Sequence, residues 1–120
     1  MSFKRIALEK SKSVNIAKDK ERIKLAEMIT RYPDGVTITA FQRLVGENGV
    51  FFVFTFDEEP TAYFAGCTTL DKLANAWLDD HPDQTIEETN EELAAEGGVK
   101  IRMFMANAKS GRQYVNYEVL

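Results

Sequence analysis

VTITAFQRLVGENGVFFVFTFDEEPTAYFAG, residues 36 to 66, carries the strongest strand signal in the chain. From Val36 to Val45, β-branched and aromatic residues recur without the spacing of a helical stripe, and every residue from Val50 to Phe56 except Thr55 is Phe or Val. Both runs predict strands. Between them stands Gly46-Glu47-Asn48-Gly49, whose glycines accept the positive φ of a tight reversal and whose Asn-Gly pair is the strongest short-range hairpin signal. A β-hairpin follows. Asp57-Glu58-Glu59-Pro60 interrupts the pattern, and Thr61 to Gly66 resumes it as a shorter third strand.

Beyond this meander, Leu70, Leu73, Ala74, Trp77 and Leu78 fall on one face of a helix that opens at Thr68-Thr69, with Asp71 placed to close a capping box. After Asp79-Asp80-His81-Pro82, Thr85 and Glu88 start a second helix in the same manner, with Ile86, Leu93 and Ala94 inward and Gly97-Gly98 as its stop. The acidic side of that helix, Glu87, Glu88, Glu91, Glu92 and Glu96, reads as a solvated face. From Val99 to Ala106 the sequence alternates, with Val99, Ile101, Met103 and Met105 on one face and Lys100, Arg102 and Phe104 on the other. A turn at Ala108-Lys109-Ser110-Gly111 leads to a last strand over Gln113 to Leu120. Towards the N-terminus, Ile23, Ala26, Met28 and Ile29 predict a helix over roughly residues 18 to 31, stopped by Tyr32-Pro33-Asp34-Gly35. Residues 1 to 15 lack a sustained period and read as a basic arm.

The predicted order is three strands, a helical segment and two strands, after an extra N-terminal helix. All strand neighbours are expected to be antiparallel. This is the order of a mainly β, five-stranded OB-like barrel with its helical segment between strands 3 and 4. An open five-stranded sheet covered by the same helices would read identically. At 120 residues the chain is one domain, 16 to 120, behind the arm. No apolar run reaches the ~20 residues of a membrane span, no apolar leader segment is visible, and the lone Cys67 suits a reducing compartment. A cytoplasmic location is the expectation.

The net charge is −4, but it is unevenly spread: residues 1 to 24 carry +5 and residues 97 to 120 carry +3, on either side of an acidic middle. Basic ends leave room for a positive groove despite the overall sign. Enzymatic machinery is not visible. His81 reads as a surface loop residue, Cys67 as a small buried thiol rather than a nucleophile, and no P-loop, GxGxxG, HExxH or CxxC motif occurs. A non-enzymatic protein without cofactor or metal is expected. The positive signal is cationic residues interleaved with aromatics at strand spacing, on the face opposite the predicted core: Phe41 and Arg43, Phe51, Lys100, Arg102 and Phe104, and Tyr114, with Lys109 and Arg112 flanking the last turn. Flat rings stack on any base and cations neutralise phosphates, which suits single-stranded nucleic acid. Core packing or an oligomer contact would explain any one of these rings; Phe52, Phe54 and Phe56 are assigned to the core.

Taken together, RYPDGVTITAF, the acidic connector FDEEPTAYFAG and the closing KIRMFMANAKSGRQYVNYEVL resemble the small single-stranded DNA-binding proteins of phages and mobile elements of Gram-positive bacteria, over roughly residues 25 to 120. The resemblance implies an OB-like fold and binding of single-stranded DNA without base preference, in support of replication or recombination inside a bacterial host cell. It also implies a possible homo-oligomer that extends the binding path. The chain departs from the bacterial replication type in ending on a strand, without a Pro/Gly-rich linker and acidic tail, so no replication or recombination partner is assigned. The alternative is a small phage protein-interaction or inhibitor module, indifferent to nucleic acid.

Overall fold

In the computed structural model the described residues are 16 to 47 and 49 to 120; the arm over residues 1 to 15 lies outside them. The elements are β1 (Glu21–Arg22), α1 (Leu25–Arg31), β2 (Val36–Gly46), β3 (Gly49–Phe56), β4 (Ala62–Ala65), α2 (Thr68–Asp79), α3 (Ile86–Ala95), β5 (Val99–Asn107) and β6 (Gln113–Val119). Six strands form one curled half-barrel sheet in the order β1-β4-β3-β2-β5-β6. The expected five strands are all present in antiparallel ladders, β3 and β4 stacking outward from β2 on one side and β5 and β6 on the other. Among the described residues no ladder joins β6 back to β1 or β4, so the sheet is a half-barrel rather than a closed one.

The first half of the expected N-terminal helix is instead a turn and the short sixth strand. Asp19 takes a left-handed conformation with φ of 62°, and the chain then runs extended. Glu21 N–H donates to Thr61 C=O at 3.0 Å, Ile23 N–H donates to Tyr63 C=O at 2.9 Å, and the pairing is parallel rather than antiparallel. The short charged strand covers the edge of β4, which would otherwise expose unpaired backbone. Ile23 is buried as a result, and only Leu25 to Arg31 are helical.

Five phenylalanines build the centre of the core. Phe41, Phe54, Phe56 and Phe64 are fully buried and Phe52 nearly so; Phe54 stacks on Phe64 at a centroid distance of 5.3 Å and Phe41 lies 6.5 Å from Phe54. Leu70 and Ala74 of α2, Leu93 of α3 and Met28 of α1 close over them. The curl brings β6 to α2 as well, since the Cys67 thiol donates to the Val115 carbonyl at 3.7 Å and Val115 and Tyr117 pack on the core. Two inward assignments at the margins do not hold: Met105 and Ala94 are exposed.

Phe41 was expected on the outer face, and a β-bulge explains the difference. Ile38 pairs with Phe56 but Ala40 pairs with Thr55, so Thr39 is an extra residue on β2. The alternation slips by one there: Val36 and Ile38 face the core, and so does Phe41. The two capping boxes also part company. Thr85 and Glu88 form theirs, with reciprocal bonds of 3.1 Å, whereas α2 is capped by Cys67 without a side-chain bond. Asp71 instead turns into the fold, where its Oδ1 is buried without a hydrogen-bond partner and burial holds its carboxyl above the usual range.

A polar cluster fastens α1 to the β3–β4 connection. Arg31 donates to both oxygens of Glu59, at 2.8 and 3.0 Å, and to Glu27 at 2.5 Å, while the Tyr32 hydroxyl donates to Glu59. The bonds from Tyr32 and then Arg31 hold the Glu59 carboxyl below its ordinary value of 4.5. A depressed carboxyl stabilises the fold above its unfolded pKa, and that stabilisation is lost as pH falls through the folded value. Glu59→Gln is therefore expected to be less stable than the wild type at pH 7, with the gap between their urea midpoints closing as pH drops below 4.5. A gap that stays constant with pH would show that the Glu59 charge contributes nothing.

Candidate nucleic-acid interface

The outer surface of the β5–β6 hairpin gathers four of the expected residues. Alternation along β5 puts Lys100, Arg102 and Phe104 on one face, and the antiparallel register sets Glu118 beside Arg102, Asn116 beside Phe104 and Tyr114 beside Ala106. Phe104 and Tyr114 are thus diagonal neighbours, within reach of one another for large side chains. Lys100 and Tyr114 are exposed, and Arg102 and Phe104 are partly so. At the hairpin tip, Ala108 N–H donates to Arg112 C=O at 2.9 Å and Gly111 turns the chain with φ of 84°, so that Lys109 and Arg112 flank the reversal, both exposed.

The other three residues do not join this group. Phe41 is in the core, 5.3 Å from Trp77 and 6.2 Å from Phe52. Arg43 pairs with Phe52 and so shares the inner face; it is exposed only because β2 outruns the helices at that point. Phe51 does lie on the outer face, paired with Leu44. But Leu44 is eight residues up β2 from the Val36–Ile101 pairing, and Phe104 is three residues beyond that pairing in the opposite direction. At the rise of a strand this separates the two rings by about 30 Å along the sheet. The basic-aromatic surface is one hairpin, not a band across the barrel.

Its electrostatics are set by two contacts that sequence reasoning did not anticipate. Glu118, directly opposite, accepts from Arg102 Nε at 2.5 Å, and the Arg102 guanidinium sits 5.0 Å above the Phe104 ring. The cross-strand partner of Arg102 follows from the hairpin register, which the five-residue connection from Ala108 to Arg112 leaves undetermined in the sequence. The ion pair is solvent-exposed and worth little by itself, so a phosphate can take the place of the carboxylate at small cost. The guanidinium lies over the Phe104 ring, and Tyr114 is the diagonal cross-strand neighbour of that ring on the same face. Lys100 near the start of β5 and Lys109 and Arg112 at the tip carry the hairpin's other positive charges.

Among the described residues no group of His, Cys, Asp and Glu is placed to hold a metal ion, and no helix is long and apolar enough to cross a membrane. No family model matches the chain, and neither a curated protein nor a solved structure does.

Proposed function

We propose that the protein binds single-stranded DNA without base preference through the outer face of the β5–β6 hairpin, as a binding protein rather than an enzyme. Strand exposed during phage replication or recombination is the substrate this reading implies. The observation that supports it most is the juxtaposition of Phe104 and Tyr114 with Lys100 and Arg102 on one exposed surface that ends in Lys109 and Arg112. Rings there supply stacking that every base satisfies, and the cations supply a salt-sensitive term.

Titration of fluorescein-labelled oligo-dT at two or more salt concentrations tests it. With up to four cations on phosphates, the logarithm of affinity should fall with the logarithm of salt at a slope of about −2 to −3. Tyr114→Ala and Phe104→Ala should each weaken binding by about tenfold while leaving the thermal unfolding of the domain close to that of the wild type, because each ring contributes stacking energy at a partly exposed site. Absence of binding at low salt, or binding indifferent to both salt and these two substitutions, would overturn the proposal.

A second reading, a protein-interaction module, draws on the far end of the sheet. Val45 and Val50 are paired across the β2–β3 hairpin and are 78% and 58% exposed. Beyond Ile38 no strand pairs with β2 on its β5 side among the described residues. Asn90 of α3 occupies this edge at Phe41, and the part beyond it, from Arg43 to Gly46, accepts an added strand from a second copy or another chain. Light scattering of the purified protein separates a second copy from a different partner.

A further inference from the structure

On the opposite side of the sheet from Arg102 and Phe104, a cavity of about 310 Å³ opens between α2, α3 and the start of β5. Its floor is apolar and aromatic: Phe41, Trp77 and Leu93. Phe41 is sealed into the core, but Trp77, 5.3 Å from it, is only partly buried. The rim is acidic, with Asp80 from the end of α2 and Glu92 and Glu96 from the last turn and cap of α3.

Two features set the sign of the ligand. First, the carboxylates outnumber the one cationic group at the rim. His81 anchors its ring by donating from Nδ1 to the Trp77 carbonyl at 2.7 Å and presents Nε2 to Glu92 at 3.3 Å, while Asp80 and Glu96 also line the opening. Secondly, both helices direct their C-terminal ends at the cavity, and neither carries a basic residue in its last turn. The C-terminal end of a helix bears a partial negative charge that a cation offsets. An anion is repelled from such a site, a neutral apolar solute gains only burial, and a cation on an apolar body gains burial, the carboxylates and the face of Trp77 together.

We infer that this cavity binds a small organic cation, an ammonium or guanidinium carried on an aromatic or branched aliphatic stem. The stem lies on the uncovered part of Trp77 and the edge of Leu93, with Phe41 behind them, and the charge sits at the rim between Asp80 and Glu96. Because the cavity and the basic hairpin occupy opposite faces, the inference stands whether or not the protein binds DNA.

Trp77 is the only tryptophan in the chain, so its fluorescence reports the site directly. Three probes of matched shape are titrated into the full-length protein with excitation at 295 nm: phenethylammonium, 2-phenylethanol and 3-phenylpropionate. Saturable change with the ammonium is expected, with the alcohol weaker by about fivefold or more and no response to the carboxylate, as a cation over a ring beside carboxylates requires. Asp80→Asn with Glu96→Gln, which spares the His81–Glu92 pair, should weaken the ammonium by about tenfold and leave the alcohol unchanged, since each exposed charge contributes modestly. No saturation by the ammonium, equal affinity for all three probes, or an ammonium affinity untouched by the double substitution would each overturn the inference. The probe series on the wild-type protein decides the matter even if the double variant folds poorly.

Discussion

Phe41→Ala is expected to lower the stability of the domain by about 3 to 5 kcal/mol, enough to leave much of the protein unfolded at modest urea, as for a large ring removed from a closed core. Phe41 is fully buried and touches three other rings, Phe52, Phe54 and Trp77, so its loss opens a cavity that a rigid sheet on one side and two helices on the other cannot collapse to fill. Phe104→Ala serves as the contrast: the same truncation on the outer face should cost under about 1 kcal/mol of stability, as surface substitutions do. Equilibrium urea unfolding of both variants checks the pair. If Phe41→Ala unfolded with the wild-type midpoint, the core position of that ring would be wrong, and with it the bulge that turns the ring inward.

The bulge also marks where the sequence stops being readable. The β2–β3 hairpin was legible because Gly46 to Gly49 state their turn chemistry locally, and the helices over 68 to 79 and 86 to 95 because their apolar positions repeat at a helical spacing. The core phenylalanines of β3 followed from the same run of alternating large side chains. But TITAF carries no local sign that Thr39 is an extra residue; the slip exists because Ile38 and Phe41 must both face one core across the pleat, which is a property of the assembled sheet. Reading strict alternation through it placed Phe41 outside. Likewise, Lys18 to Lys24 is a charged stretch with helix-compatible residues, and its Glu21–Arg22 pair becomes a strand only because β4 has an edge to cover. Of the candidate surface, the residues on β5 and β6 were found by local alternation and do share a face. Phe51, found by the same rule, does not reach them, because distance along a sheet depends on register between hairpins rather than on spacing within one. His81 and Glu92 each read as solvated, and their meeting at the cavity joins the loop that follows α2 to the last turn of α3.

Asn90→Ala is the second substitution with a large expected effect, for a reason also invisible locally. β5 pairs with β2 only from Val36 to Ile38 and then departs, leaving the backbone of β2 without a strand on that side. Asn90 of α3 fills the gap: its Oδ1 accepts from the Phe41 N–H at 3.0 Å and its Nδ2 donates to the Phe41 C=O at 2.8 Å. One side-chain amide thus supplies both bonds that a neighbouring strand would have made. Alanine removes both, and a buried backbone group without a partner costs about 1 to 3 kcal/mol, so a loss of roughly 2 to 4 kcal/mol is expected where water cannot fully enter. The same substitution at the neighbouring Glu91, exposed on the outer side of α3, should change stability by no more than about 0.5 kcal/mol. Asn90→Asp discriminates further. A carboxylate still accepts from the Phe41 N–H but sets a second acceptor against the Phe41 carbonyl, and only the protonated acid restores a donor there. Its deficit against the wild type in urea should therefore be largest near neutral pH and shrink on acidification. An Asn90→Ala protein as stable as the wild type would mean that the edge of β2 is satisfied by solvent, and that α3 holds its place through Leu93 and its apolar neighbours alone.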